Sequence, residues 1–429
     1  QRLQHACRIP RSENSSVGLS VNSELNLRQS FAEDSTGEMT LKGTVAYVPY
    51  QPKRILNVHK HVDGGWFWTK YSAHPYVGCQ EGCVYCYWRD EKYNMLARDP
   101  AAHHLPDPFS QYIKVKTNAA ELLRKELSKV RRDVIAVGDY QPAEARYGLS
   151  REMLKVCAEL GFPTLILEKS PLVLKDLDLM SQINERSWAC VMFSIVRPDS
   201  GGYGQIFEPY APRIEGRFLT MRKIADSGIL TGTAFMPILP YVCDDDSNLE
   251  AVVKKTAENG GKFVLAAGLT MSGAQAVYFL EALKRHEPAL VKKYKKLYGE
   301  AYSSVDASYA CRIGLKVRDF CAKYDILDRM PRYIQEGQLA MNKRLAEEIF
   351  KKCYQMDLES APSYKIWAYR RAGWTIDELD HNILTLYERR GLKGLQALPN
   401  IGASLAAFIA ERLDTLRSNG TERTISSEA

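Results

Sequence analysis

Between Asp133 and Leu269 short apolar strand patterns alternate with amphipathic helical ones, and this alternation limits the fold more than any other feature of the chain. Strand patterns at Asp133–Val137, Pro163–Leu167, Ala189–Ile195, Leu230–Met236 and Phe263–Leu269 are separated by helical patterns at Gly148–Leu160, Val173–Ile183, Arg217–Ser227 and Ser247–Asn259. A further helix is expected at Ala119–Val130. Parallel strands need a crossover between them, and a helix supplies it, so the pattern predicts βαβ units around a parallel sheet. In such sheets chemistry belongs at the C-terminal strand ends, where the connecting loops meet.

Upstream of the alternation, His74–Asp90 (HPYVGCQEGCVYCYWRD) places Cys79, Cys83 and Cys86 at CxxxCxxC spacing in a loop with Gly78 and Gly82. Three thiolates can converge there on one point. A structural zinc site closes with four protein ligands, whereas a three-cysteine [4Fe-4S] cluster leaves one iron open. A zinc knuckle completed by His74, or three cysteines that only pack, also fits the spacing. Tyr76, Tyr85, Tyr87 and Trp88 would wall the site from water.

With 429 residues the chain is long enough for a large core and a smaller domain. Its 10 cysteines are mostly scattered and do not form a disulfide framework. No apolar run approaches the roughly 18 residues of a membrane span, and the first residues carry no secretory pattern, so no membrane association and a cytoplasmic location are expected. The formal charge of +7 tolerates a polyanionic partner without demanding one.

The cysteine loop and its surroundings resemble the radical S-adenosylmethionine superfamily, in particular its spore photoproduct lyase-like branch. GDYQPAE, with Asp139, Gln141 and Glu144, is similar to the TDPYQPxE signature, with Gly138 in the Thr position. LILEKS supplies Lys169 and Ser170, the lysine resembling one placed to meet the methionyl carboxylate. FSIVRPD gives Ser194 and Arg197, while Glu208, Pro209 and Arg217 resemble an EPxAPxxxxR run. FMPILPYVCDDD resembles a PIxPxIND run, with Cys243 where Asn is usual and Asp244 in the Asp position. The resemblance implies an α/β fold, a partial (β/α)6 barrel, with a [4Fe-4S] cluster on Cys79, Cys83 and Cys86. It further implies S-adenosyl-L-methionine bound through Tyr85, Asp139, Gln141, Glu144, Lys169, Ser194 and Arg217, and reductive cleavage to a 5'-deoxyadenosyl radical. Tyr85 and Tyr87 flank Cys86 as do tyrosines implicated in hydrogen-atom return in those lyases. Their hydrogen-donating cysteine has no counterpart here between Cys86 and Cys157. Cys157 and Cys190 fall in apolar patterns and read as core thiols.

Between Lys284 and Arg332 stand 12 Lys or Arg against six acids, and VKKYKKLYGEAY interleaves lysines with tyrosines. Such a run reads as a solvated helical face or as a phosphate-contacting surface. The ending GLKGLQALPNIGASLAAFIAERL resembles a helix-hairpin-helix, and the region before it resembles the amino-terminal domain of X-family DNA polymerases. The resemblance implies phosphate contacts at Pro399, Asn400, Ile401, Gly402 and Ser404. Asn400 takes the place of a hairpin glycine and tolerates the left-handed backbone the turn needs. The Schiff-base lysine of that domain corresponds to Phe408, so lyase chemistry is not expected there. A helical domain that only packs is the alternative; from Arg332 onward charges nearly cancel, 14 basic against 13 acidic.

The expected organisation is a mobile polar tail (1–43), the barrel (44–285), a basic helical extension or linker (286–340), a small all-α helix-hairpin-helix domain (341–417) and a disordered tail (418–429). The expected function is a radical enzyme acting on nucleic acid, DNA before RNA, in repair or base modification, served by an electron donor such as flavodoxin or ferredoxin. Radical modification of RNA or of a protein side chain is the alternative within enzymes. A DNA-binding or redox-sensing protein with a structural cluster is the alternative outside them.

Overall fold

The structure, a computed structural model, describes residues 45–62, 64, 66–93, 96, 99–102, 104–299 and 305–418 with their side chains, and the backbone of 31–33, 39–41 and 419–426. The described residues form two compact units: one holds those up to Val58 and Tyr71–Arg329, the other His59–Lys70 and those from Met330. Apart from the antiparallel pair β1 (Phe31–Glu33) and β2 (Met39–Leu41), the expected polar tail lies outside the described residues.

In the first unit β3 (Ala46–Tyr50), β4 (Asn57–Val58), β5 (Tyr71–Ala73) and β6 (Tyr76–Val77) come first, then α1 (Pro108–Gln111), β7 (Tyr112–Lys116) and α2 (Ala119–Leu127). β3 does not join the main sheet. It lies at the edge of a separate sheet of order β3-β7-β6, where Pro49 costs no ladder bond. The main sheet takes β8 (Ile135–Val137), β9 (Thr164–Glu168), β10 (Ala189–Ser194), β11 (Leu230–Ile238) and β12 (Val264–Gly268). From β5 through β8 to β12 each strand runs parallel to the next in chain order, and β4 adds antiparallel to β5. The result is mixed α/β with a parallel sheet, as the alternation requires.

The crossovers are α3 (Pro142–Tyr147) and α4 (Leu149–Leu160), α5 (Leu177–Arg186), α6 (Gly201–Phe207) and α7 (Ile214–Asp226), and α8 (Asp246–Glu258). α5 starts four residues later than its periodicity suggests. A 3-10 turn over Pro171–Asp176, opened by Pro171 after the Ser170 cap, takes up the first part of the expected helix before α5 begins. On one sheet face Ile135, Ile166, Val191, Phe193 and Phe235 pack in the core with Leu123, Met153 and Met221 of the helices. Strand alternation turns the neighbouring residues, Ala136, Leu165, Leu167, Met192 and Ala234, to the other face, with Lys169 and Ser194 at its C-terminal edge.

α9 (Gly273–His286), α10 (Pro288–Tyr298) and α11 (Ala307–Lys323) complete this unit. The segment expected as a basic extension or linker is helical, but α10 and α11 pack into the main core through Tyr294, Tyr298, Val317 and Cys321. The unit therefore ends at Arg329. The lysines sit on the solvent side of α10 and the tyrosines beneath, which local charge counting cannot separate.

The second unit holds α12 (Ala340–Leu358), α13 (Ser363–Asp377), α14 (Ile383–Gln396) and α15 (Ala403–Ser426). α15 runs through most of the segment expected to be a disordered tail; with no proline to stop it, each added residue gains a backbone bond. The unit also contains His59–Lys70, a connection between β4 and β5. Trp68 is buried there, donates its indole N–H to the Met330 carbonyl at 2.9 Å and lies under the Arg332 guanidinium. His61 stacks on Trp374 at 4.4 Å, and Trp374 donates to the Val62 carbonyl. Between α14 and α15 the chain turns at Leu398–Gly402. Asn400 has φ +63°, the left-handed conformation expected of it, and Ile401 is buried while Pro399, Asn400, Gly402 and Ser404 are exposed. Phe408 packs edge to face with Tyr369. Among the described residues no helix is long and apolar enough to cross a membrane.

Candidate active site at the cysteine loop

β5 and β6 deliver the chain to the cysteine loop at the C-terminal side of the parallel sheet. Gly78 (φ +89°) and Gly82 (φ +65°) allow it to curl. A Cβ on Gly78 would stand 2.8 Å from the Tyr112 carbonyl oxygen, and one on Gly82 2.7 Å from the Tyr210 ring. Side chains hold the loop from several sides. Gln141 donates to the Gly78 carbonyl and to Asp139, each at 3.0 Å, and accepts from the Gln80 N–H at 3.0 Å. Gln275, at the start of α9, donates to the Tyr85 carbonyl at 3.0 Å.

Arg89 closes the loop from below. Its buried guanidinium donates to the Gly82 and Cys83 carbonyls, each at 2.8 Å, and pairs with Asp107 through both carboxylate oxygens. The rings of Phe109 and Tyr278 lie 4.7 and 4.4 Å from it. Two lone-pair-rich carbonyls and a carboxylate thus satisfy a cation that would otherwise be costly to bury. Nothing in a motif of cysteines and aromatics announces this residue.

Cys79, Cys83 and Cys86 lie close enough to feel one another's charge; Cys83 is buried, and Cys79 and Cys86 are half-buried. Burial pushes the Cys83 thiol up to about 12 and raises Cys79 and Cys86 as well, while Lys169 pulls Cys83 and Cys86 the other way. Such thiols stay protonated until a cation replaces the protons. Among the described residues no three or more His, Cys, Asp and Glu side chains already stand as a finished metal site. His74 packs its ring edge to face on Trp88. The fit to a cluster is therefore one of donor chemistry and partial enclosure. Three thiols in a glycine-hinged cradle suit a thiophilic iron centre, and the loop must still draw its sulfurs together.

Lys169 reaches over the loop from the end of β9, 3.6 Å from Glu81. Burial alone would lower its pKa, but Cys83, Glu81 and Glu208 outweigh burial and keep it protonated. From the opposite side Tyr85 donates its hydroxyl to Glu208, which also pairs with Arg217; Arg217 in turn donates to the Ser194 carbonyl at 2.8 Å. Burial would raise Glu208, yet Arg217 and Lys169 hold it below the usual carboxylate range. Burial and Glu208 keep the Tyr85 phenol protonated, and Tyr203 stands beside it. The chain Tyr85–Glu208–Arg217–Ser194 thus links the loop to the end of β10.

Other expected residues lie elsewhere in the site. Tyr87 is exposed on a 3-10 turn and packs against Tyr93, so the two tyrosines flanking Cys86 have opposite environments. Glu144 is fully buried and accepts from Tyr76 (2.6 Å), the Ser150 N–H (3.0 Å) and Lys175 (3.0 Å). Its carboxylate braces β6 and α4 and is taken up by these donors. Gln141 is likewise spent on the loop. Cys243 is buried and accepts from Leu239, while Asp244 receives the Tyr309 hydroxyl. Ser170 caps the 3-10 turn before α5.

Missing from the sequence reading are two acids beside Asp139. Glu168, one residue before Lys169, accepts from the Tyr140 N–H at 2.7 Å, and Glu81 sits between the first two cysteines. Burial first, then mutual repulsion with Glu81, raises both Asp139 and Glu168. Their signal was in view: an acid inside the apolar run LILE, and another inside the cysteine spacing. Cys157 and Cys190 are fully buried core thiols.

No protein-family model matches the chain. It is 29% identical over 261 residues to an uncharacterized protein of Mycobacterium tuberculosis, covering 59% of this chain and 74% of that relative. An uncharacterized protein of the Acidianus two-tailed virus is 25% identical over 261 residues, 59% of this chain and 83% of the relative. Among solved structures, a cysteine-to-serine mutant of spore photoproduct lyase superposes with a TM-score of 0.50 at 15% identity, over 74% of this chain and 88% of that chain. A double mutant of the same enzyme, with bound AdoMet and a dinucleoside spore photoproduct, gives 0.50 at 14% identity, over 73% and 87%. The likeness is one of fold.

Proposed function

We propose that the chain is a radical S-adenosylmethionine enzyme, built on a partial (β/α)6 barrel, that acts on nucleic acid in DNA repair or base modification. The observation that carries this reading is the placement of a three-cysteine, glycine-hinged loop at the C-terminal side of sequentially parallel strands, with the cation of Lys169 poised over it. Cys79, Cys83 and Cys86 would hold a [4Fe-4S] cluster, which when bound and reduced supplies the electron that cleaves S-adenosyl-L-methionine.

This chain's residues do the rest. Lys169 offers a charge-assisted hydrogen bond to the methionyl carboxylate. Glu81, Asp139 and Glu168 surround that region with oxygen acceptors suited to an ammonium group. Glu208 and Arg217 fix the Tyr85 hydroxyl, and with Tyr203 and the enclosing loop keep water from the reacting centre. Cysteine-mediated lesion reversal is not part of the proposal, because the first cysteine after the loop, Cys157, is sealed inside the core. The turn at Leu398–Gly402 would act as a helix-hairpin-helix, with backbone N–H groups of the α15 N-terminus meeting a phosphate. The partner supplying electrons would be a flavodoxin or ferredoxin.

The test is anaerobic reconstitution with iron and sulfide, reduction by dithionite and measurement of 5'-deoxyadenosine. Wild type should form it and Cys83→Ala should not. No 5'-deoxyadenosine from a fully loaded wild-type protein would reject the enzyme and leave a binding or sensing protein.

A further inference from the structure

The feature the proposed chemistry does not use is Tyr241, just past the C-terminal end of β11. Its backbone has φ +63°, a region an aromatic residue with a Cβ rarely adopts, and its ring is 45% exposed. The strained turn is held in place: the Tyr241 N–H donates to Asp244 at 2.8 Å, and the ring packs edge to face on Tyr294 of α10 at 6.1 Å. A strained residue that keeps a large apolar ring in water points to a function for that ring.

α10 surrounds it with charge. Tyr294 donates to the Pro240 carbonyl at 2.7 Å and Tyr298 to the Leu269 carbonyl at 3.0 Å, so the helix lies over the ends of β11 and β12, on the side of the sheet that carries the cysteine loop. Its outward face presents Lys292, Lys293, Lys295 and Lys296, all exposed, with the Lys293 ammonium 5.3 Å from the centre of the Tyr241 ring. Lys284 and Arg285 at the end of α9 extend the patch. The lysines of the neighbouring α11 are neutralised, Lys316 by Asp246 and Lys323 by Glu250; among the described residues no carboxylate lies within ion-pair distance of the α10 lysines.

We infer that Tyr241 and the α10 lysines form a platform for single-stranded DNA at the rim of the site, with a base stacked on Tyr241 and the flanking phosphates on Lys292, Lys293 and Lys296. A flat ring set among flexible ammonium groups is the arrangement that binds a strand without reading its sequence. A strand laid there has its bases unstacked at the rim, as chemistry on a base requires. The inference rests on the proposed nucleic-acid substrate, and it assigns strand binding to the first unit in addition to the Leu398–Gly402 turn.

The experiment is fluorescence anisotropy of the full chain with a short labelled single-stranded DNA across a salt series. Tyr241→Ala should weaken binding by about 5- to 150-fold with the salt slope unchanged, since one stacked base is lost. Tyr241→Phe should restore it, which a purely structural role of the hydroxyl or backbone would not predict. Lys292→Gln combined with Lys293→Gln should lower the salt slope by about 0.7 for each phosphate contact removed. All three positions are at the surface, and circular dichroism confirms that the variants fold. Unchanged affinity in these variants, with a loss only in Gly402→Pro, would overturn the platform while leaving the proposed enzyme intact. Equal binding of labelled polyglutamate, or binding of RNA with none of DNA, would also overturn it. A platform that binds DNA in a protein that forms no 5'-deoxyadenosine would instead sink the enzyme and keep the platform.

Discussion

Replacing Arg89 with methionine tests whether the cysteine loop depends on a buried cation. Met keeps much of the apolar stem between Phe109 and Tyr278 and removes every donor. Asp107, itself buried, is then left as an unpaired charge, a defect of about 3–5 kcal/mol. The Gly82 carbonyl also loses its partner, at about 1–3 kcal/mol if it stays dry, while the Cys83 carbonyl keeps only the Cys86 N–H at 3.3 Å. Together these come to about 4–8 kcal/mol, within the lower part of the roughly 5–15 kcal/mol that stabilises a whole domain, so the loop is expected to open and hydrate before the sheet unfolds. Arg89→Met should keep its far-ultraviolet circular dichroism and yet bind little iron after anaerobic reconstitution. Adding Asp107→Leu removes the orphaned charge and should recover several kcal/mol in urea denaturation without recovering iron, because the loop still lacks the guanidinium that ties its Gly82 and Cys83 carbonyls together. Full iron content in Arg89→Met, or a double variant no more stable than the single one, would refute this account.

Other outcomes follow from the same contacts. Lys169→Met should retain iron but weaken S-adenosylmethionine binding by about 10- to 150-fold, the worth of one charged hydrogen bond, measured by equilibrium dialysis; an unchanged Kd removes Lys169 from that role. In the helical unit Asp377 is buried against Arg332 and Lys343; burial would raise its carboxyl, but the two cations hold it below the usual range. A carboxylate depressed in the folded state contributes stability above its unfolded value, about 3.9, and loses it as pH falls through the folded one. Asp377→Asn should therefore cost about 3–5 kcal/mol near neutral pH, and the gap to wild type should shrink below about pH 4 in urea melts. A gap independent of pH would count against the pairing.

The strands and crossover helices were legible because burial imposes a period on the sequence, and β8 to β12 fall where the apolar runs stand. The loop was legible for a different reason: glycines and cysteines at close spacing have few other uses. What stayed hidden depends on partners far along the chain. Gln141 and Glu144 stand in a run that suggests cofactor contact, yet one clasps the Gly78 carbonyl and the other ties Tyr76 to Lys175. Arg89 gains its meaning only from Asp107 and two backbone carbonyls. Trp68 looks like loop residue until Met330, 262 positions later, accepts its N–H.

That last contact has a consequence for how the gene can be cut. The chain passes from one unit to the other at Val58, at Lys70 and again at Arg329, so the helical unit is assembled from two stretches of sequence that lie on either side of Tyr71–Arg329. A stop codon after Arg329 would strand a tryptophan, a histidine and a valine carbonyl that have lost their sockets, and a fragment starting at Met330 would miss the plug that fills it. Shuffling of whole modules, which beads on a string permit, is closed to a protein joined in this manner; its two parts have to be inherited, expressed and lost together.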